Sequence, residues 1–408
     1  MRPLPSVVLA GLLTLTAPLV GSTASADPAS PVAPVDPHEA QTSDGVVGPI
    51  AAKVSARQRQ DRTDSNIKRV NVVPGVDIVQ WDQSSSRGPN ELSLMTVKWQ
   101  TPGLSVDYAN PGSVAATAPV ATMLKADAAA GAVAGVNGDF FDISGSGAPR
   151  GVGRDLDRGL LNGRVSGWNG AFSFTSSGWP AIGLVSTRTR VRNYPRLKVS
   201  SLNGPVVDPD HVGAYTPAWG RASGTEWTGG QRKGVRYLQV YRHRVVRNSY
   251  RLPRGNAFHG TLLVGRGKGA RALAKIKVGT RTDVLSGAEG DPRMAIGGNK
   301  FLLRHGILQP LDDAQMHPRT AIGIDRDTKT LLLLVVDGRR SDSRGYTMAE
   351  LADEMADLGA DDALNLDGGG SSQLVAKRGK VLKVMNSPSD GHARPVANAI
   401  EIRYRKPR

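Results

Sequence analysis

The chain has 408 residues, 39% of them hydrophobic, which is enough for one large domain or two ordinary ones with a substantial core. It contains no cysteine, so disulfides, thiol nucleophiles and cysteine-ligated metals are excluded. Lysine and arginine outnumber acidic residues by 52 to 36, and the formal net charge of +16 favours polyanionic partners such as nucleic acid, anionic membrane or phosphate-containing polysaccharide.

The first 26 residues have the composition of an export signal. Arg2 gives a positive start, Val7 to Val20 is an apolar stretch, and Ala24-Ser25-Ala26 has the small-x-small form of a cleavage site. The stretch is short for a membrane anchor, and no basic cluster follows it. The sequence therefore predicts a signal peptide over 1–26, no transmembrane segment, and a secreted protein that is released or held on the cell wall by charge.

Residues 27–69 are predicted to be a disordered leader or linker, because they are rich in Pro, Ala, Ser, Asp and Gln and lack periodicity. The folded domain is expected over 70–408. Its first elements are predicted strands at Val76–Trp81 and Leu92–Trp99, followed by a helix over Pro119–Ala130.

A short apolar strand at Ala132–Val136 leads directly into Asn137-Gly138-Asp139-Phe140-Phe141. Asn-Gly is a strong turn signal, so a simple turn is one interpretation of this run. Two aromatic residues straight after the carboxylate are unusual for an exposed turn. They indicate a wall that packs on the core.

The middle of the chain, about 156–281, has the pattern of short strands separated by glycine-rich turns. Its most basic run interleaves tyrosines with arginines, namely Tyr237, Tyr241, Arg242, Arg244, Arg247, Tyr250, Arg251 and Arg254. Such a run suits a nucleic-acid surface or a solvated strand face. Because no nucleic-acid-binding signature accompanies it, we favour the solvated face and disfavour a nucleic-acid partner.

The C-terminal part has the clearest pattern. Paired strands are predicted at Arg319–Asp325 and Thr330–Val336, and a helix at Thr347–Leu358 begins with a Thr347/Glu350 capping box. A further strand ends at Asp367. This strand–helix–strand order predicts a crossover that brings Asp337 and Asp367 to one rim of a sheet.

The run from Asn365 to Ser372, N-L-D-G-G-G-S-S, is the most informative stretch. Glycines lack Cβ atoms, so their backbone amides can approach an anion closely. A carboxylate beside such a loop suits acid–base or metal-assisted chemistry on a phosphorylated substrate. A tight turn in which the glycines only relieve strain is the alternative.

In chain order, the motifs N-G-D-F-F, R-T-A-I-G, D-G-R, a G-Y-T-x-x-E-L-A helix and N-L-D-G-G-G-S-S resemble the phosphodiester glycosidase family. The resemblance extends over about Val70 to Arg405 and is dense in Gly135–Phe141 and Arg319–Ser372. It implies an enzyme that hydrolyses a sugar-1-phosphodiester, releasing the sugar and leaving a phosphomonoester. We expect the substrate to be a phosphorylated carbohydrate, the partner to be an anionic cell-wall or extracellular glycopolymer, and the fold to be α/β, a strand-rich mixture with mixed sheets and a few packed helices.

That reaction assigns roles to the motif residues. Cleavage at an anomeric carbon usually employs two carboxylates, so Asp139 and Asp367 are the predicted pair, with Asp337 as a third candidate. Arg319 and Arg339 are candidate ligands for the phosphate, although an ion pair with a neighbouring aspartate is as good an explanation of Arg319. The other predicted substrate-binding residues are Asn137, Gly138, Thr320, Asn365, Gly368, Gly369, Gly370, Ser371 and Ser372.

The sequence requires no cofactor. It lacks HExxH and EF-hand patterns, but its aspartates can still hold a hard cation such as Ca²⁺. His317 is a candidate general base, although its place before Pro318 favours a surface histidine. Two other functions remain open: a non-catalytic binder of anionic wall polymer, and an exported nuclease or phosphodiesterase.

Overall fold

The computed structural model describes residues 41–168 and 170–407. The signal peptide predicted over 1–26 and the first part of the predicted leader lie outside these residues. The helices are α1 (Ala56–Gln60), α2 (Val120–Ala126), α3 (Lys268–Ala274) and α4 (Met348–Asp357). The strands are β1 (Arg62–Val73), β2 (Val76–Ser85), β3 (Gly88–Lys98), β4 (Leu104–Ala109), β5 (Ala132–Asn137), β6 (Gly153–Asp155), β7 (Gly159–Asn162), β8 (Gly170–Phe174), β9 (Pro180–Leu184), β10 (Thr187–Val191), β11 (Val199–Leu202), β12 (Val212–Tyr215), β13 (Val235–Tyr241), β14 (Arg244–Ser249), β15 (Thr261–Arg266), β16 (Val284–Ala288), β17 (Met294–Gly298), β18 (Lys300–Arg304), β19 (Ile307–Leu308), β20 (Arg319–Asp325), β21 (Thr330–Val336), β22 (Asp362–Asn365), β23 (Leu374–Arg378), β24 (Val381–Val384) and β25 (Ala399–Tyr404).

These strands form four sheets and a two-stranded ribbon. Sheet A has the order β1-β2-β3-β21-β20-β22-β18-β19, and sheet B has the order β24-β23-β5-β25-β4. Sheet C is β7-β6-β17-β8-β9, sheet D is β11-β12-β15-β13-β14, and β10 pairs with β16. Among the strand pairs of residues 41–168 and 170–407, β11–β12 is parallel and the others are antiparallel.

The expected strand-rich mixed sheets are present, but the protein is mostly β, so the α/β class needs correction. The reason lies in the C-terminal crossover. β21 and β22 run in the same direction, yet β20 lies between them and pairs antiparallel with both. The helix therefore crosses over an antiparallel sheet instead of closing a parallel βαβ unit.

The central strands of sheet A are buried on both faces. One face packs against α4 through Leu351 and Met355, whereas the other joins the main core that includes residues of sheet B. This explains why β21 is apolar at nearly every position, because a strand covered on both sides has no solvent-facing alternation. The packing fixes the rim of sheet A where β20 begins and where β21 and β22 end.

The ordered part of the chain begins earlier than the domain start expected near residue 70. α1 and β1 lie inside the segment expected to be disordered, and ion pairs hold them on α4: Arg59 with Asp353, and Arg62 with Glu354 at 3.0 Å. β1 is largely exposed, so its sequence shows little of the apolar alternation on which the expectation depended. No helix among the described residues is long and apolar enough to cross a membrane.

Candidate active site

Two buried carboxylates meet where sheets A and B adjoin. Asp139 follows β5 of sheet B, and Asp367 lies two residues beyond β22 of sheet A. The backbone N–H of Asp367 donates to the carbonyl of Gly138 at 2.9 Å, and the side-chain amide of Asn137 donates to the carbonyl of Asp367 at 2.6 Å. The two predicted motifs are therefore joined directly by hydrogen bonds.

The surroundings of Asp139 and Asp367 give the two carboxyl groups different pKa values. Burial raises the pKa of Asp139 to about 8, and the negative charge of Asp367 adds to the increase. Burial raises the pKa of Asp367 to about 6, against hydrogen bonds from Ser43 that favour its ionised form. Near neutral pH, Asp139 therefore holds a proton while Asp367 is ionised, which is the division of labour between an acid and a base or nucleophile.

Two glycines shape the space around Asp139. A Cβ atom on Gly151 or on Gly297 would lie 2.8 Å from Oδ2 of Asp139 and 2.6 Å from the Cα of the other glycine. The backbone N–H of Gly151 also donates to that Oδ2. The carboxylate is thus held by backbone that only glycine allows to come so close.

Among the described residues, several buried polar atoms in this region have no hydrogen-bond partner of ordinary geometry: Asp139 Oδ1, Asn365 Oδ1, Asp367 Oδ2, Ser371 Oγ and Ser372 Oγ. Ser371 nevertheless lies close enough to Asp367 to lower its pKa. Buried polar groups are nearly always hydrogen-bonded, so a group of unsatisfied atoms in one place requires a reason. A ligand with several hydroxyl groups would satisfy both the acceptors and the serine hydroxyls. This is the chemistry of a sugar.

An anion-binding position lies beside the carboxylates and is occupied by the protein's own Asp44. Nη1 of Arg339 donates to the Asp44 carboxylate at 2.9 Å, Nη1 of Arg394 at 3.0 Å, and the N–H of Gly370 at 3.4 Å. Burial alone would raise the pKa of Asp44, but hydrogen bonds from Arg339 and Thr42 hold it well below its usual range. The same donors are suited to a phosphate group.

The loop Gly368–Gly370 lets its backbone come close to Asp44 and Arg394. Gly369 has φ +61°, a left-handed conformation that glycine adopts without strain. A Cβ on Gly370 would lie 2.2 Å from Nη2 of Arg394 and 2.3 Å from Asp390. Asp390 in turn accepts from Arg394 at 2.7 Å and fixes its orientation.

Residues 41–51, which we call the strap, cross the site. The N–H of Ser43 donates to Oδ1 of Asp367 at 2.9 Å, and Oγ of Ser43 accepts from the N–H of Phe141 at 3.0 Å. Thr42 is buried beside it, and backbone hydrogen bonds of Pro49 and Ala51 to residues 314–316 fasten the far end. The strap therefore places polar groups where a substrate would contact Asp367 and the arginines.

Arg319 and His317 are both fully buried at the same rim. Arg319 donates to the carbonyls of Tyr346 at 3.0 Å and Gln315 at 3.1 Å and to Oε1 of Gln41 at 2.6 Å, and burial lowers its pKa to about 9. Within the described residues it forms no ion pair with an aspartate, so that expectation is not met. Its hydrogen bonds to the described residues of the strap both go to Gln41, at the side-chain oxygen and at the backbone carbonyl at 3.4 Å.

The expectation of a surface position for His317 is wrong. Its Nδ1 lies 3.3 Å from Nη2 of Arg339, and its Nε2 lies 3.1 Å from Oε1 of Gln315. Burial and the neighbouring arginines lower its pKa to about 3, so the ring is neutral and can orient Arg339.

The other predicted residues have structural contacts. Asp337 ends β21 at the expected rim, but both its oxygens are occupied, by Asn386 at 2.8 Å and by the N–H of Ser387 at 2.8 Å, and burial raises its pKa to about 6. Thr320 donates to Oδ1 of Asn137 at 2.9 Å, which fixes the amide that holds Asp367. These contacts position the loops on which the site is built.

A Cβ on Gly138 would lie 2.4 Å from Oδ1 of Asn398, and one on Gly368 would lie 2.6 Å from the carbonyl of Pro318. Both glycines are therefore required by close packing.

Sequence reasoning missed the strap residues Ser43 and Asp44 as well as Arg394. The strap lies in a segment whose composition is typical of a linker, and Arg394 lies in an irregular loop after β24. The one signal for Arg394 is the preceding Asp390, four residues away, which the structure uses as its ion-pair partner.

One group of acidic residues in the described chain, Asp107, Asp155 and Asp157, has oxygens close enough to hold a metal ion. The negative charge of this group is partly neutralised by ion pairs with Arg403, which lies 2.6 Å from Asp107, and with Arg158, which lies 2.6 Å from Asp155. The predicted catalytic aspartates are not part of this group.

Comparison with known proteins agrees with the motifs. A family model described as phosphodiester glycosidase matches residues 237–403. The SPbeta prophage-derived uncharacterized protein YomE of Bacillus subtilis (strain 168) is 42% identical over 88 residues, which cover 22% of this chain and 13% of that protein.

Two solved structures, the first two described here, share the fold. A hypothetical protein from Synechocystis has 23% identity and a TM-score of 0.69, covering 84% of this chain and 64% of its own. A candidate exported protein from Burkholderia pseudomallei K96243 has 24% identity and a TM-score of 0.62, covering 78% and 75%. The catalytic domain of zebrafish N-acetylglucosamine-1-phosphodiester alpha-N-acetylglucosaminidase, auto-inhibited by its pro-peptide, has 18% identity and a TM-score of 0.43, covering 88% and 96%.

The chain thus spans less than two thirds of both YomE and the Synechocystis protein. The resemblance indicated by the motifs is confirmed by the family match, in which residues 237–403 fit the phosphodiester glycosidase model.

Proposed function

We propose that the protein is an exported hydrolase that cleaves the bond between the anomeric carbon of a sugar and a phosphodiester. The products are the free sugar and a phosphomonoester on the remaining part of the substrate. The observation that carries the proposal is the adjacency of two sites. The first is the buried pair Asp139 and Asp367, which has oxygens without hydrogen-bond partners among the described residues. The second is the position of Asp44, whose carboxylate is held by two arginines and a glycine amide as a phosphate would be.

The chemistry follows from the two acidities. Ionised Asp367 either attacks the anomeric carbon, forming a glycosyl–enzyme ester that water then hydrolyses, or removes a proton from the water molecule that attacks this carbon. In both routes the bond from the anomeric carbon to the phosphate oxygen breaks, and protonated Asp139 is the acid that can give its proton to the departing oxygen. As the carbon–oxygen bond breaks, negative charge grows on the departing phosphate. Arg339, Arg394 and the Gly370 amide stabilise that charge by donating hydrogen bonds to the phosphate oxygens.

We further propose that the strap holds the protein in a self-blocked state. Asp44 takes the position of the phosphate and Ser43 that of a sugar hydroxyl, so substrate binding requires the strap to leave. Thr42 and Asp44 also hydrogen-bond to each other at 2.6 Å, which gives the blocking segment its own local structure.

The export signal and the basic surface support a location outside the cell and a substrate that carries many phosphates. A cell-wall or extracellular glycopolymer meets both conditions, and the excess of lysine and arginine would favour its approach. Oxygen ligands for a divalent cation such as Ca²⁺ are present in the protein, and we propose no step that depends on one.

The test is a panel of soluble sugar-1-phosphodiesters and UDP-sugars, with detection of free reducing sugar. We expect turnover of at least one member, and its loss in Asp367→Asn with substrate binding retained. Binding without turnover by the wild-type protein would favour a non-catalytic binder. Cleavage of an oligonucleotide without release of sugar would favour a nuclease.

A further inference from the structure

Exposed arginines and tyrosines are concentrated on the hairpin formed by β13 and β14 and on the residues that follow it. We call this the arginine–tyrosine face: Tyr241, Arg242, Arg244, Arg247, Tyr250 and Arg251, all of which are exposed. It lies on sheet D, whereas the candidate active site lies where sheets A and B adjoin. The function proposed above therefore does not use it.

The arginines of this face have no carboxylate within ion-pair distance among the described residues. This sets them apart from the arginines of the candidate active site, where Arg339 and Arg394 both pair with Asp44. The neighbouring Arg254 also has a partner, Glu226 at 3.0 Å. Four positive charges without carboxylate partners on one hairpin create a local potential that attracts anions.

Each arginine side chain except Arg244 lies over a tyrosine ring. The guanidinium carbon is 5.2 Å from the ring centre for Arg242 on Tyr241, 5.8 Å for Arg247 on Tyr237 and 5.9 Å for Arg251 on Tyr250. Such stacking limits the motion of a long side chain, while the N–H groups at the edge of the guanidinium plane still bind anions. The face is thus partly pre-organised for phosphate.

The turn of the hairpin has a backbone conformation that is unfavourable for most side chains. Arg242 and His243 have φ of +47° and +62°, a left-handed conformation in which Asn and Gly are the usual residues. Arg242 lacks this preference, and the turn is held in part by His243 Nδ1 at 2.6 Å from Asp283. Strain of this kind is concentrated at functional positions.

We propose that the arginine–tyrosine face binds the phosphate groups of a linear phosphodiester-linked polymer, separately from the active site. The identity of the polymer rests on the proposed function, since the same molecule would be held here and cleaved at Asp139 and Asp367. Nucleic acid is the less favoured occupant. Single strands bind by stacking bases on aromatic faces, and the exposed rings of Tyr241 and Tyr250 are each covered on one side by an arginine.

The experiment measures binding of the full-length protein to soluble poly(glycerol phosphate) at several salt concentrations, with dextran of equal length as a neutral probe. The test variant is Arg247→Gln/Arg251→Gln. Its matched control is Arg188→Gln/Arg190→Gln, which removes two exposed strand arginines that have no tyrosine beneath them. We expect about tenfold weaker binding for the test variant and less than about twofold for the control, from the usual worth of exposed charge contacts.

Both variants should hydrolyse a small soluble sugar-1-phosphodiester at the wild-type rate, because neither touches the active site. Equal losses of polymer binding in the two variants, or no loss in the test variant, would overturn the proposal, as would tighter binding of an oligonucleotide with the same number of phosphates. If the binding pattern holds but no sugar-1-phosphodiester is hydrolysed, the proposed activity fails and the binding face stands. If the sugar-1-phosphodiester is hydrolysed but polymer binding does not differ between the variants as expected, only the proposal for the arginine–tyrosine face is refuted.

Discussion

Replacing Asp44 by alanine should activate the enzyme. Asp44 fills the position that we assign to the substrate phosphate, and the variant leaves the arginines and the glycine amide in place. Substrate would then no longer compete with an internal carboxylate. The expected result is a rise in kcat/KM for a soluble sugar-1-phosphodiester.

The magnitude follows from the contacts. Arg339 and Arg394 donate to Asp44 at 2.9 and 3.0 Å. A hydrogen bond to a charged group contributes about 1.5–3 kcal/mol, and two such bonds must be reduced by the cost of burying the carboxylate. If about half remains, roughly 1.5–3 kcal/mol, the open state becomes roughly 10- to 140-fold more populated, at 1.4 kcal/mol for each factor of ten. The apparent kcat/KM rises by up to that factor when the open state is scarce.

The assay is release of reducing sugar under kcat/KM conditions, with thermal unfolding as a check on folding. Asp357→Ala is the control, because it also removes an aspartate paired with an arginine, Arg62, but at an exposed position outside the site. Its kcat/KM should equal that of the wild-type protein. A folded Asp44→Ala protein with unchanged or lower kcat/KM would show that Asp44 does not block the site.

Further outcomes are expected. Asp139→Asn and Asp367→Asn should each lower kcat by about 1,000-fold, or about 4 kcal/mol, in the same assay, and near wild-type turnover in both would refute the assignment. The wild-type kcat/KM should be bell-shaped, because activity is lost as pH falls through about 6 and Asp367 is protonated, and as pH rises through about 8 and Asp139 ionises; a flat profile from pH 5 to 9 would contradict this. Gly370→Ala should raise KM at least about tenfold, since its Cβ would collide with Arg394, and a substrate titration measures this. Mass spectrometry of the secreted protein should find a mature start near Asp27, whereas a cell-retained protein with intact Met1 would exclude export.

The C-terminal half of the fold was largely predictable because its signals are local. The hairpin of β20 and β21 and the capping box of α4 follow from alternation, turn residues and cap chemistry, and the structure contains both. The order of strands within sheet A is not local. Placing β20 between β21 and β22 depends on packing over long sequence separations, so the strand–helix–strand order predicted a crossover and an α/β class but not this antiparallel neighbour.

The same distinction applies to the candidate site. Asp139 and Asp367 each follow a strand and carry a local motif, and the structure brings their two loops together. Asp44 and Arg394 carry no such motif, because their role depends on where the strap and an irregular loop lie in three dimensions. His317 was misjudged for a related reason: a proline neighbour says little about burial when the surrounding contacts come from Arg339 and Gln315.

The glycine walls around Asp139 affect how this protein should be mutated. Alanine scanning measures what a side chain contributes by removing it. Gly151 and Gly297 have no side chain, so they are usually left out of such a scan. Here the informative change is an addition. A single methyl group at either position would come within 2.8 Å of the Asp139 carboxylate and 2.6 Å of the opposite backbone. The shape of the candidate site is therefore set partly by positions with no side chain, and a search among polar side chains alone will pass over them.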